Sequence, residues 1–116
     1  MNVKLALVAA SLALFGSAST LAQESRAVQV DILGRGPAVD ARAFSLVRSS
    51  IARSVVDNEV SRFDVAGFGV EGGFSACVEL RTADQARELL TRLQRIQPDR
   101  TTTSYNVQLV ASCPCK

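Results

Sequence analysis

The residues of this 116-residue chain best suited to chemistry are its three cysteines, Cys77, Cys113 and Cys115. Two of them flank a single proline in the C-terminal sequence SCPCK. Thiols placed in this way can bind Cu(I), act as a redox pair, or contribute to a structural disulfide. The choice among these depends on which other residues the fold places beside them.

A bond between Cys113 and Cys115 would close a small, strained ring, because cysteines of a redox pair are normally separated by two residues. A Cu(I) site would lack its usual supporting ligands, since the chain has no histidine and its one methionine is Met1. We therefore predict a disulfide between Cys77 and Cys113, with Cys115 as the alternative partner of Cys77. The Cys113–Cys115 bond, a thiol-bound metal and free or intermolecular thiols stay open as alternatives.

Most catalytic arrangements are excluded by composition. Without histidine, the chain cannot form a Ser-His-Asp or Cys-His arrangement or an imidazole-based zinc site. The sequence GRGP at residues 34–37 lacks the third glycine and the Lys-Ser/Thr ending of a phosphate-binding loop. We predict that the protein is not an enzyme and has no catalytic residues, no metal site and no cofactor.

Residues 1–22 have the pattern of a secretory signal peptide. Lys4 precedes an apolar run over residues 5–15, and a small residue, Ala22, ends the segment. The apolar run is shorter than the roughly 20 residues that a membrane-spanning helix needs. We predict cleavage after Ala22, which leaves one periplasmic or secreted domain, residues 23–116, without a membrane span.

The charge of the chain is nearly balanced, with 13 lysines and arginines against 11 acidic residues. The arginines are scattered along the sequence, whereas nucleic-acid binding requires concentrated positive charge. We therefore predict no nucleic-acid partner. The expected partner is an envelope or secreted protein or a peptide, and the sequence indicates no oligomeric state.

Hydrophobic periodicity divides the domain into six elements. Two-residue alternation predicts strands, and spacings of three and four predict helices. The predicted strands cover residues 27–33, 60–70, 74–81 and 105–111, and the helices cover residues 41–57 and the segment between Thr82 and Pro98. Residues 71–73 form the joint of a hairpin, and Gly67 and Gly69 suggest a bulge or a close backbone approach in the second strand.

Both helices have recognisable ends and apolar faces. In the first helix the predicted apolar stripe is formed by Phe44, Val47, Ile51 and Val55, with Asp40 as the N-cap and Asn58 at the end. In the second helix Thr82 and Gln85 form a capping box, and the buried face is formed by Ala86, Leu89, Leu90, Leu93 and Ile96.

The order β-α-β-β-α-β predicts the ferredoxin-like α+β sandwich. Right-handed crossovers would place two helices on one face of a four-stranded antiparallel sheet with strand order 4-1-3-2. In that order strands three and four lie on either side of strand one, about 9–10 Å apart. A Cys77–Cys113 bond therefore requires the chain to leave the sheet near Ser112 and cross strand one.

Strand parity assigns side chains to the face that the helices leave open. The predicted binding residues on this face are Gln29, Asp31, Ser75, Glu79, Asn106 and Gln108, and Cys77 has the same parity.

From these observations we predict a small, exported, non-enzymatic binding or interaction module. One alternative is a thiol-based redox or Cu(I)-handling protein that uses Cys113 and Cys115. A further alternative is a protease-inhibitor-like domain, whose short C-terminal sequence would enter a cleft.

Overall fold

The computed structural model describes residues 24–36, 38–67 and 72–114. These residues form four strands and two helices in the predicted order β-α-β-β-α-β. They are β1 (Ala27–Gly34), α1 (Ala41–Val56), β2 (Val60–Gly67), β3 (Gly73–Leu80), α2 (Ala83–Gln94) and β4 (Thr103–Val110). The predicted signal peptide, residues 1–22, lies outside the described residues, as does Cys115.

The four strands form one antiparallel sheet in the order β2-β3-β1-β4. Read from the β4 edge, the same neighbours give the order 4-1-3-2. Val30 of β1 faces Ala76 of β3 on one side and Val107 of β4 on the other, which fixes the register of the three strands. The chain is therefore an α+β fold with a four-stranded antiparallel sheet and two helices, and its topology is ferredoxin-like.

The hydrophobic core lies between the helices and one face of the sheet. Alternate strand residues supply this face, as the period of two predicts. Fully or almost fully buried strand residues in the core are Val28, Val30, Ile32, Phe74, Ala76, Val78 and Leu80. From α2 the core receives Ala86, Leu89 and Leu93, with Leu90 and Ile96 partly buried against it. The strand parity and the apolar face of α2 are confirmed.

The buried face of α1 differs from the prediction. Its buried residues are Ala43, Val47, Ile51 and Ser54, whereas Val55 is 49% exposed. Ser54 is buried because α2 lies beside α1, and Nη2 of Arg92 donates a hydrogen bond of 2.7 Å to Ser54 Oγ. The prediction that Val55 belongs to the buried stripe of α1 is therefore wrong. A stripe chosen only by hydrophobicity could not have included Ser54 in its place.

Both predicted helix starts are confirmed. The carboxylate of Asp40 accepts a hydrogen bond from the Ala43 backbone N–H at 3.1 Å. Thr82 and Gln85 form the reciprocal capping box, with both hydrogen bonds at 3.2 Å. Asn58, which follows the C-cap residue Asp57 of α1, has a φ of 59°, a left-handed conformation that asparagine tolerates better than most residues.

The close backbone approach that was expected in the second strand lies instead at the start of β3. Gly72 and Gly73 have φ values of 77° and 109°, and a Cβ atom on Gly73 would lie 2.9 Å from the Cα of Leu33. Nothing lies within 4 Å of the corresponding position at Gly67, and the irregularity of β2 falls between Val60 and Arg62. The crowded position is therefore Gly73, not Gly67, while Gly69 lies outside the described residues.

Candidate functional site

A disulfide between Cys77 and Cys113 joins the open face of the sheet to the segment that follows β4. Cys77 lies in β3, and Cys113 lies beyond the end of β4, with the two Cα atoms 5.6 Å apart. β1 lies between β3 and β4, so the chain must cross it. It does so at Ala27, which packs against both cysteines and is fully buried. The small alanine side chain leaves room for the crossing.

The C-terminal segment is held to the sheet by polar contacts as well. The backbone N–H of Cys113 donates to Glu79 Oε1 at 3.0 Å. Arg62 Nη2 donates to the carbonyl oxygen of Pro114 at 3.0 Å, and Arg62 Nε lies 3.1 Å from Asp64 Oδ2. One end of the open face is therefore covered, and the predicted binding residue Glu79 anchors the covering segment.

Three of the other predicted binding residues form a hydrogen-bonded cluster in the middle of the sheet. Gln29 Nε2 donates to Ser75 Oγ at 2.9 Å and to Asp31 Oδ1 at 3.3 Å. Ser75 Oγ in turn donates to Asp31 Oδ1. This cluster fixes three side chains of β1 and β3 in defined orientations on the open face.

The two predicted binding residues of β4 lie beside this cluster. Asn106 is paired in register with Asp31, and Gln108 with Gln29. Both are exposed. The structure thus places all six predicted residues on one face, with Gln29, Asp31, Ser75, Asn106 and Gln108 together and Glu79 under the C-terminal segment.

The sequence prediction missed an apolar groove on the other side of the sheet, between α1 and β2. The groove has a volume of about 630 Å³. Its walls include Phe44, Ile51, Val55, Val56, Phe63 and Val65. Val56 is 82% exposed, and Phe63 and Val65 are about half exposed. Alternation along β2 would have shown that Phe63 and Val65 share the helix side at a sheet edge.

The residues that the structure describes contain no cluster of three or more His, Cys, Asp or Glu side chains that could hold a metal ion. The Cys113 sulfur is bonded to Cys77, so a joint role for Cys113 and Cys115 would require reduction of that bond first. No helix in the described ranges is long and apolar enough to cross a membrane.

Two solved structures are similar to this chain at low sequence identity. A solution structure of the C-terminal domain of the MgtC protein from Mycobacterium tuberculosis has a TM-score of 0.42 and 13% identity, over 82% of this chain and 98% of that one. A de novo designed protein with a ferredoxin fold, LFR1 1, has a TM-score of 0.37 and 14% identity, over 73% and 83%. No protein-family model matches the sequence, and no curated protein matches it. These similarities give no information about the function of this chain.

Proposed function

We propose that this protein is a small, exported, non-enzymatic interaction module that binds an envelope or secreted protein or peptide through the open face of its sheet. Export is supported by the signal-peptide pattern of residues 1–22. It is also supported by the Cys77–Cys113 disulfide, because such bonds persist in oxidising compartments outside the cytoplasm.

The observation that carries the binding proposal is the fixed arrangement of polar groups on the open face. Gln29, Asp31 and Ser75 hold one another in place through hydrogen bonds. Next to them, Asn106 and Gln108 expose amide groups that can both donate and accept. Side chains locked on rigid strands lose little conformational entropy on binding, which favours recognition of a polar partner.

The C-terminal segment gives this surface a stable border. The disulfide and the hydrogen bond from Cys113 N–H to Glu79 fix the segment across β1. In the proposed role, Glu79 therefore shapes the edge of the binding surface, and Asn106 and Gln108 make the direct contacts with the partner.

Site-specific photo-crosslinking tests this proposal. A photoreactive amino acid replaces Gln108 in the exported protein, and cross-linked products are collected from cell envelopes. The matched control replaces Ser49, an exposed residue of α1 on the helix side. We expect a defined product from position 108 that is absent from position 49.

The same product should decrease strongly when Asn106→Ala is added to the position-108 protein. Equal products from positions 108 and 49 would contradict the proposal, as would a product from position 108 that is unaffected by Asn106→Ala.

A further inference from the structure

We propose that the apolar groove between α1 and β2 binds the hydrocarbon chain of a free fatty acid, whose carboxylate is held by Arg48. The groove lies on the helix side of the sheet. This fatty-acid site is therefore separate from the polar surface of the open face and does not depend on the partner of that surface.

The walls of the groove are apolar along most of their length. Val55 and Val56 from the end of α1 line it together with Phe63 and Val65 of β2. All four are large apolar side chains that are 44–82% exposed. The volume of about 630 Å³ falls within the roughly 300–1,000 Å³ of typical ligand pockets. Exposed apolar area gathered in one concave place is typical of a site that an apolar ligand covers.

The floor of the groove belongs to the hydrophobic core. Ile51 and Phe74 line the groove and are only 5% and 8% exposed. The ring of Phe74 packs edge-on against that of Phe44, with the two ring centroids 5.3 Å apart. Because core packing already holds these side chains, a ligand would bind a preformed surface and would not have to order it.

Arg48 gives the groove a positive charge. Among the wall residues that the structure describes, it is the one with an ionisable side chain. Arg48 is exposed, and within the described ranges no carboxylate forms an ion pair with it. A ligand that complements these walls is apolar over most of its length and carries one negative charge.

The guanidinium of Arg48 is placed by Phe44, which lies one turn earlier in α1. Cζ of Arg48 lies 5.8 Å from the centroid of the Phe44 ring, within the range of a cation–π contact. The N–H groups of a guanidinium lie in its plane, so a guanidinium over a ring keeps donors for a carboxylate. Phe44 also lines the groove, so the positive charge lies directly beside the apolar wall.

These features favour a fatty acid over other anionic ligands. A carboxylate and a guanidinium match each other in a bidentate pair. The described walls offer one cation, which suits a ligand with a single anionic head, and no acidic side chain for the cationic part of a zwitterionic head. The rest of the ligand must be apolar, because a polar group placed against the valine and phenylalanine walls would lose its hydrogen bonds to water.

Isothermal titration calorimetry on the purified, exported protein tests the ligand class, with decanoate as the probe below its micelle concentration. We expect saturable binding of one decanoate per chain. Octanoate should bind roughly tenfold more weakly, since each fully buried methylene contributes a factor of about four and the groove is partly open. Decyltrimethylammonium has the same chain with a cationic head and should bind more weakly than decanoate.

Arg48→Gln tests the role of the charge. This variant should bind decanoate about fivefold or more weakly than the wild type, because the charge-assisted pair is lost. Its affinity for decyltrimethylammonium should not fall, and this comparison separates a lost charge from a misfolded groove. The matched control is Arg42→Gln, which removes an exposed arginine of α1 outside the groove and should bind decanoate nearly as the wild type does.

Backbone amide chemical shifts in NMR spectra locate the bound decanoate. We expect the largest changes at Val55, Val56, Phe63 and Val65, and only small changes at Gln29 on the open face. Photo-crosslinking from position 108 probes the opposite face of the sheet, so failure of the fatty-acid site and failure of the open-face proposal are distinguishable.

The proposal is overturned if decanoate shows no saturable binding, if the cationic ligand binds equally well, or if Arg48→Gln binds decanoate as the wild type does. Shift changes centred on the open face would overturn it too. Two other occupants have their own signatures. Binding to anionic phospholipid vesicles without binding of decanoate would indicate a membrane surface, and a dimer that decanoate does not dissociate would indicate a second copy; either result overturns the proposal.

Discussion

Cys77 and Cys113 are bonded across an intervening strand, with Cα atoms 5.6 Å apart, although their strands are not neighbours in the sheet. The bond forms because the chain leaves β4 after Val110 and crosses β1 at the small residue Ala27. Sequence separation across the bond is 36 residues. The disulfide therefore closes a loop that contains the last residues of β3, all of α2 and all of β4.

Removal of this disulfide should strongly destabilise the domain. On the loop-entropy view, a loop of this length contributes about 4 kcal/mol, which is a large share of the 5–15 kcal/mol typical of a whole domain. Urea unfolding of wild type and Cys77→Ser/Cys113→Ser measures the difference. Cys115→Ser is the control and should leave the unfolding midpoint nearly unchanged. A double variant as stable as the wild type would contradict this role of the bond.

Gly73→Ala should disrupt the pairing of β3 with β1. Gly73 has a φ of 109°, and a Cβ atom there would meet the backbone of Ile32 and Leu33. We expect a loss of roughly 2 kcal/mol or more in the free energy of unfolding, since the left-handed backbone alone costs 1–2 kcal/mol.

The matched control for Gly73 is Gly36→Ala, where nothing lies within 4 Å of the added atom. This variant should change stability by less than about 0.5 kcal/mol. Chemical denaturation measures the free energy of unfolding of both variants. Similar losses at the two positions would show that steric crowding at Gly73 does not cause the loss of stability.

The single tyrosine should ionise at unusually high pH. Burial raises the pKa of Tyr105 from 10.0 to about 12, and its hydroxyl donates a hydrogen bond of 2.6 Å to the carbonyl oxygen of Leu93 at the end of α2. Because the chain has only one tyrosine, an absorbance titration of the phenolate reports this group alone. A midpoint near 10 in the folded protein would contradict the prediction.

This raised pKa also sets the sign of a stability change with pH. The folded state keeps the phenol protonated while the unfolded chain ionises, so the contribution of Tyr105 is present below pH 10 and is lost between pH 10 and about 12. Tyr105→Phe should remove this part of the pH dependence. It should also cost about 1 kcal/mol at neutral pH through the lost hydrogen bond.

Asp40 should stabilise the fold in a pH-dependent way at the acidic end. Its carboxylate accepts hydrogen bonds from the backbone N–H groups of Asp99, at 2.9 Å, and Ala43, at 3.1 Å. These bonds hold the pKa of Asp40 below its ordinary value of 3.8. The stabilisation is therefore complete above pH 3.8 and is lost as the pH falls through the lowered folded-state pKa.

Thermal unfolding of Asp40→Ala and Asp40→Asn between pH 2 and pH 7 separates the two roles of this residue. Asparagine keeps the cap but cannot titrate, so it should retain most of the neutral-pH stability and flatten the acid response. Alanine should lower the midpoint at neutral pH. An acid response of the asparagine variant equal to that of the wild type would rule out Asp40 as its source.

Much of this fold follows from local sequence signals. Thr82 and Gln85 mark the start of α2 because their side chains can reach each other's backbone N–H groups. This capping box can be recognised from the four residues 82–85 alone. Val28, Val30 and Ile32 are buried because alternation in a strand puts them on one face. The open-face positions of Gln29, Asp31 and Ser75 follow from the same alternation.

Features that depend on two elements at once did not follow from the sequence. Ser54 is fully buried because Arg92 of the neighbouring helix satisfies its hydroxyl, whereas Val55 is left exposed. No periodicity within α1 carries that information. Likewise, alternation along β3 correctly places Glu79 on the open face, but its carboxylate accepts a hydrogen bond from the backbone N–H of Cys113.

The sequence by itself determined the order of the elements, their caps and the two faces of each strand, because these depend on hydrogen bonds and side-chain alternation within a few residues. Only the tertiary structure decided that Cys113 reaches Cys77 across β1 and that an apolar groove lies open beside Phe63. Both depend on how distant segments pack, and packing is set by the shapes of all the elements together.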